Sequence, residues 1–283
     1  MADIEVLIAG AGPTGLTLAV CLQRYGIQAR LVDRLEGPSP LSRAQVVQSR
    51  TLEVFDDLGL SDLALARGLR MEAANLVARG GRQAQLRFGA VLESHYPFAF
   101  ILPQDATEAL LTERLTAKGG RIEWGVELLE HRAVGDAVEV SLRHADGSTE
   151  TVRTRWLVGC DGARSQVRKS AGISFEGETY EDVCMLGDVA VDWPLRPNEL
   201  HIMPSERGLL AAFPMPGEAR FRLITIVPRD MAPPGETPTP TLEQLQEVVS
   251  LLAPIPTLSE AEASMGLAGP PVYAHAGAHG RSR

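Results

Sequence analysis

A chain of 283 residues that is 45% apolar is long enough to bury one large α/β domain, or a nucleotide-binding domain with a smaller insert, which excludes general disorder. A formal net charge of −9 and a pI near 5.2 give no global support for tracking a nucleic-acid backbone, so a small molecule is the expected partner. Cys21, Cys160 and Cys184 are far apart with no Cys-x-x-Cys pair, the first residues lack a signal-peptide pattern, and no apolar run approaches the ~20 residues of a membrane span. Reduced thiols, no membrane partner and a cytoplasmic protein are expected.

The N-terminal stretch carries the most specific local pattern. Ile4 to Ala9 reads as a strand, Gly10, Gly12 and Gly15 stand in G-x-G-x-x-G around Pro13 and Thr14, and Leu16, Ala19, Val20 and Leu22 continue as a helix face. Gly10 permits the tight turn, Gly12 lets a pyrophosphate approach the backbone, and Gly15 lets the helix pack close to the strand. The free N–H groups and positive dipole end of that helix then face the phosphates. A second strand, Ala29 to Val32, ends at Asp33, where an acid accepts hydrogen bonds from a ribose and disfavours a 2′-phosphate. NAD and FAD both place an ADP half in such a site, so the motif alone leaves both open.

Beyond Asp33 the chain departs from the repeated βα units of a nicotinamide-type domain. A Pro/Ser loop leads to Arg43 and Ala44, then to a helix with Val54, Leu58 and Leu60 on its apolar side, then to a hairpin around Gly80 and Gly81. In "LPQDATEALLTERLTAKGG", Asp105 and Glu108 have capping-box spacing, Ala109, Leu111 and Leu115 make a face, and Gly119 and Gly120 stop the helix. Short strands follow, with turns at Gly135-Asp136 and Asp146-Gly147. The segment "VGCDGARSQVRK", Val158 to Lys169, puts an Asp-Gly turn and a basic helix start directly after a strand that reads as buried, and an acid there needs a partner. From Asp182 to Val227 the pattern is strand-like, interrupted at Pro194, Pro204 and Pro214. A Pro/Thr linker, Pro233 to Pro240, precedes a helix that Thr241 and Gln244 can cap and that carries Leu242, Leu245, Val248, Val249 and Leu252.

Taken together, "GAGPTGL", the pair Asp33-Arg34, "SRAQVVQSRTLEVFDDLGL", "LPQDATEALL" and "CDGARSQVRKSAGISFEGE" resemble, in order and spacing, the FAD-dependent aromatic hydroxylases of the p-hydroxybenzoate hydroxylase fold, in particular the single-component phenol and polyketide branch. The resemblance runs from residue 3 to about residue 265. It implies an α/β fold in which a Rossmann-like FAD/NAD(P)-binding domain is interrupted by an antiparallel, substrate-side β-sheet. The expected division is 1–180 for the FAD-binding domain with an inserted hairpin near 70–100, 181–265 for the substrate-side sheet and helix, and 266–283 for an atypical tail.

The same resemblance implies roles for residues. Gly10, Gly12, Pro13, Thr14 and Gly15 hold the pyrophosphate, Asp33 with Arg34 lies at the adenosine ribose, and Arg43 lies near the phosphates. Gln104 bonds the ribityl and phosphate region, Val126 makes a backbone contact with adenine, and Asp161 with Gly162 forms the turn beneath the ribityl side. Arg164 and Arg168 either face the phosphates of NAD(P)H or are solvated helix residues. The implied enzyme is an oxidoreductase. NAD(P)H reduces FAD, O₂ adds to give a C4a-hydroperoxyflavin, and oxygen passes to a small aromatic substrate.

No catalytic side chain is assigned; among the scattered histidines His95, His131, His144 and His201, the last, on a substrate-side strand, is the one to test. Met203, Leu210, Phe213 and Met215 suit either a flat aromatic ligand or a plain sheet core. A halogenase of the same fold would need a Trp-containing motif and a catalytic Lys, and Trp124, Trp156, Trp193, Lys118 and Lys169 stand in no such setting. The family's closing Gly-Asp segment is not found before Arg283, which leads us to expect a short form, with a flavin- or nucleotide-binding remnant, inactive or partner-dependent, as the alternative.

Overall fold

A computed structural model describes residues 4–39, 44–78, 81–90, 93–177, 183–193, 195–227 and 241–253. Arg43, Gly80, Pro194, the Pro/Thr linker and the 266–283 tail lie outside the described residues. In chain order the elements are β1 (Ile4–Ala9), α1 (Pro13–Arg24), β2 (Ala29–Asp33), β3 (Val46–Val47), α2 (Ser49–Asp57), α3 (Ser61–Arg67) and β4 (Leu69–Met71). Next come β5 (Ala73–Ala78), β6 (Gly81–Arg87), β7 (Ala99–Ile101), α4 (Gln104–Ala117), β8 (Ile122–Trp124), β9 (Glu127–Val134), β10 (Ala137–Arg143) and β11 (Thr149–Gly159). The remainder is α5 (Gln166–Ser170), β12 (Val183–Ala190), β13 (Glu199–Ser205), β14 (Gly208–Pro214), β15 (Arg220–Val227) and α6 (Leu242–Leu252).

Two compact units share these elements. Among the described residues, the first takes those within 4–39 and 107–177 and the second those within 44–106 and 183–253. The described residues between 44 and 106 therefore pack with the later part of the chain rather than with the glycine-rich start.

The first unit is built on one sheet in the order β8-β2-β1-β11-β10-β9. Its β8, β2, β1 and the second half of β11 run parallel, whereas β11 pairs antiparallel with β10 through its first half and β10 antiparallel with β9. The apolar run of β1 is central in the sheet and contacts α1, and Leu7, Ala9, Val32, Val140, Leu142 and Val152 form one core cluster. The hairpin turns fall at Gly135 and Gly147 as expected, both with positive φ.

The second unit holds the sheet β12-β15-β14-β13-β5-β6 and the small sheet β3-β7-β4. Every pairing in the large sheet is antiparallel except β13 with β5, which is parallel. Period-two alternation separates its faces. Met185, Met203, Leu210, Phe221, Leu223 and Val227 pack with α6, whereas Leu200, Ile202, Ala211, Phe213 and Ile224 lie on the other side with Met71, Ala99 and Ile101. The predicted capping box of α6 is present, Thr241 Oγ1 accepting from Gln244 N and Gln244 Oε1 from Thr241 N.

Several local expectations change. Helix α4 begins at Gln104, so Asp105 lies inside its first turn rather than ahead of it, and the capping-box reading fails there. Ala109 is exposed, and the buried side of α4 is Thr107, Glu108, Leu110, Leu111 and Leu115. In α2 the buried residues are Leu52 and Phe55, with Leu58 and Leu60 buried beyond its end and Val54 only half-buried. Pro204 and Pro214 do not interrupt strands: each lies within two residues of a strand end, where a missing N–H costs the ladder least.

One buried ion pair stands on the face opposite α6. Arg222, 0% exposed, donates from Nε to Asp188 Oδ1 at 2.6 Å and from Nη2 to Asp188 Oδ2 at 2.8 Å. Removing one member strands a charge in the interior, so Asp188→Ala is expected to lower unfolding free energy by about 3–5 kcal/mol. Urea denaturation checks this, and the double replacement Asp188→Leu with Arg222→Met should recover most of the loss.

Candidate functional site: a glycine cradle at the strand ends

The C-terminal ends of β2, β1 and β11 are held level by backbone hydrogen bonds, Gly10 N to Val32 O at 2.8 Å and Cys160 N to Ala9 O at 2.7 Å. Here the glycines are sterically required. Gly10 has φ +104°, and a Cβ on it would lie 2.3 Å from the Cys160 carbonyl oxygen. A Cβ on Gly15 would lie 1.9 Å from Gly10 O, so the helix approaches the turn as closely as backbone atoms allow. Gly12 is different: nothing lies within 4 Å of where its Cβ would be. The open position is the one the motif reserves for a pyrophosphate.

Helix α1 starts here with Gly12 at its N-cap and Pro13 in its first turn; no side chain caps it and no acid stands in that turn. Pro13 has no N–H to leave unpaired, and the N–H groups of Thr14 and Gly15 remain for an outside anion. Asp33 borders the cradle. Its Oδ2 accepts from Ala11 N at 2.7 Å and its Oδ1 from Leu35 N at 2.9 Å, which ties the acid to the glycine turn. A carboxylate has about four acceptor sites, so capacity remains for a ribose hydroxyl. Arg34 is exposed, and Val126 is buried with its N–H donating to Asp33 O at 2.9 Å.

The Asp-Gly turn after β11 resolves in the same unit. Asp161 Oδ2 accepts from Gln166 N at 2.6 Å and Val167 N at 3.1 Å, so the acid finds its partners in the first N–H groups of α5. Gly162 turns the chain with φ +75°. Asp161 Oδ1 is buried without a hydrogen-bond partner, which leaves it an unmet acceptor at the strand ends. Cys160 precedes it; burial, and secondarily the Asp161 charge, push its thiol pKa up, which disfavours the thiolate. Arg168 stacks 4.3 Å over the Phe175 ring and donates to Ala163 O at 2.9 Å, whereas Arg164 is exposed.

A large cavity lies elsewhere in the first unit. About 1390 Å³ in volume, it is lined by Gln23, Arg30, Glu123 and Glu150 at the N-terminal ends of the strands. Arg30 bridges Glu123 and Glu150, each at 2.8 Å, and holds the Glu150 carboxyl below its ordinary pKa, so these charges satisfy one another. Open parallel sheets bind nucleotides at the other end, where the glycines are.

In the second unit Gln104 opens α4, half-buried, with its N–H donating to Ala44 O at 2.9 Å. His201 is buried on β13, its Nε2 lying 3.4 Å from Arg196 O and its Nδ1 without a partner. Met203 and Leu210 belong to the core against α6, while Phe213 lies on the other face. His131 contacts Val167 O and His144 contacts Glu150, both structural roles. The residue that motif reading missed is Gln45, next to the Arg43-Ala44 pair; it is 5% exposed and neither amide atom has a partner. No cluster of metal-ligating side chains occurs among the described residues.

A parallel sheet with a glycine cradle, an uncapped helix start and an acid closing the second strand defines an ADP-binding site of the dinucleotide type. The open space at Gly12 and the unmet Asp161 Oδ1 fit such a ligand. The chain belongs to the family described as FAD binding domain, whose model matches residues 3–264. It is 41% identical over 220 residues to 6-methylpretetramide 4-monooxygenase of Streptomyces rimosus, covering 76% of this chain and 39% of that protein. It is 32% identical over 226 residues to pentachlorophenol 4-monooxygenase of Sphingobium chlorophenolicum, covering 79% and 42%. The crystal structure of the flavin-dependent monooxygenase PieE, with FAD and substrate, superposes with a TM-score of 0.82 at 24% identity, covering 95% of this chain and 50% of that one. The fold is therefore that of the p-hydroxybenzoate hydroxylase group, and the chain spans half or less of the length of these three proteins.

Gly12→Ala should leave the melting temperature within about 1 °C, since its Cβ meets nothing, yet weaken ADP binding at least about tenfold, whereas Gly15→Ala should destabilise the fold itself. Calorimetric titration and thermal melts separate the two. Burial lowers the His201 pKa from 6.5, so the unfolded chain binds that proton more readily; the stability is present above about pH 6.5 and is lost as pH falls. Denaturation as a function of pH should show a shallower acid loss for His201→Leu than for the parent chain.

Proposed function

We propose that this protein acts as an FAD-dependent, NAD(P)H-using monooxygenase that hydroxylates a small phenolic or polyketide aromatic substrate. The observation that carries the reading is the convergence of the Gly10-Gly12-Gly15 cradle, Asp33 and Asp161 at the ends of β1, β2 and β11. The names of the relatives support the substrate class, since one acts on 6-methylpretetramide and another on pentachlorophenol.

In this reading FAD, when bound, supplies the reduction by NAD(P)H and the activation of O₂. The protein's own residues bind and orient. The N–H groups of Thr14 and Gly15 take pyrophosphate oxygens, with Gly12 leaving room for them. Asp33 accepts a ribose hydroxyl while holding Ala11, and Asp161 Oδ1 accepts a further hydroxyl while its other oxygen holds α5. Arg43 and Gln104 are assigned to the phosphate and ribityl region, Arg34 and Val126 to the adenosine end, and Gly162 to the turn beneath the ribityl chain. Residues 1–180 carry the cofactor elements and 181–265 the substrate-side sheet, which the inserted hairpin near 70–100 joins through β5 and β6. The protein is assigned to the cytoplasm, with no nucleic-acid partner; no helix among the described residues is long and apolar enough to cross a membrane.

A second reading, a flavin- or nucleotide-holding chain that turns over nothing by itself, is favoured by one observation. The antiparallel partner of β11 stops at Thr154, and among the described residues no strand borders the outer edge of its second half, where Trp156 is 52% exposed. One experiment separates the readings. The FAD-loaded chain is given NADH or NADPH and a panel of phenols under isotopically labelled O₂, and label in the aromatic product is expected. Flavin retention with no labelled product would favour the second reading.

A further inference from the structure

Gln45 lies just ahead of β3 in the second unit. Its carbonyl accepts from Leu102 N at 2.8 Å, so the antiparallel register of Val46 with Ile101 and Val47 with Phe100 extends by one pair. Alternation puts the Gln45 side chain on the side of Val47 and Phe100, opposite Val46 and Ile101. That side is lined by apolar groups: Val47 is 8% exposed, Phe100 0% and Leu102 1%.

A primary amide in such a setting costs free energy unless both its donor and its acceptor are met. Gln45 Oε1 and Nε2 are both buried and neither is met, although the same unit satisfies another buried carboxamide fully: Asn75 donates to Glu199 and accepts from Gln85. A leucine or methionine would fill the place without that cost. The polar choice makes physical sense when a ligand completes it.

We propose that Gln45 is a ligand-recognition residue whose carboxamide pairs with the edge of a flat ring presenting a donor and an acceptor side by side, an amide or imide edge. Two ligands of the proposed reaction carry or can carry that chemistry, the flavin ring of FAD and an aromatic substrate bearing a carboxamide, so the inference rests on the FAD-monooxygenase reading. Gln45 is a binding residue, and no bond to oxygen is made or broken at it.

The test compares the parent chain with Gln45→Met, which conserves volume, and Gln45→Leu as a second variant against misfolding. Without ligand, both variants should melt about 2–4 °C higher than the parent, because two unmet polar atoms are gone. ADP should bind all three proteins alike. FAD should bind the variants at least about tenfold more weakly if the flavin edge is the partner, whereas an unchanged FAD affinity with a similar loss for salicylamide assigns the substrate edge. Variants that bind FAD and salicylamide as well as the parent overturn the proposal. A parent that binds ADP but gains nothing from FAD or salicylamide overturns it together with the flavin reading.

Discussion

The site depends on one close approach, the Gly10 peptide packed against the carbonyl of Cys160. Because a Cβ at residue 10 would lie 2.3 Å from that oxygen, β1 can end level with β11 only if the side chain is absent. The same contact sets the height of Asp161, the next residue, and Gly15 lets α1 close down on the turn from the other side. Asp33 then holds Ala11. Four chemically simple requirements, two missing side chains and two carboxylate-to-amide bonds, position every group assigned to the dinucleotide in the first unit.

Much of this was legible from residue types and spacing, because the constraint is local. A strand, a glycine turn and a helix start leave a signature within a short window, and the acid at Asp33 follows at the end of the next strand. The hairpin turns at Gly135 and Gly147 and the Thr241 capping box are local in the same sense. What escaped the sequence is non-local. Nothing in the run from Leu200 to Phe213 says which alternate residues face α6 and which face the opposite side, and Met203 and Leu210 turn out to serve the core. Asp105 has the spacing of a cap, but the chain enters the helix one residue earlier. Gln45 carries no motif of its own; only its burial with both amide atoms unmet sets it apart.

Two of the buried polar side chains of the second unit make a useful contrast. Arg222 is enclosed as completely as any leucine, and Asp188 neutralises its charge through two hydrogen bonds although Nη1 stays unmet. Gln45 is nearly as enclosed and meets nothing. Burial alone therefore says little about function, and the state of the partners decides. The same logic sets Asp161 apart from an ordinary helix cap, since one of its oxygens is fully used and the other is idle.

The interleaving of the two units along the chain has a consequence for biogenesis. On a ribosome, β1 can pair early with β2, but its other neighbour arrives only with β11, where Val6 meets Trp156. The hairpin of β5 and β6 likewise waits for β13, where Asn75 meets His201. Each unit thus holds an unpaired strand edge through much of synthesis, and the high contact order slows its closure. Nascent chains of this protein should depend on chaperones that shield open edges, and slower translation ahead of β11 would lengthen the period of aggregation risk.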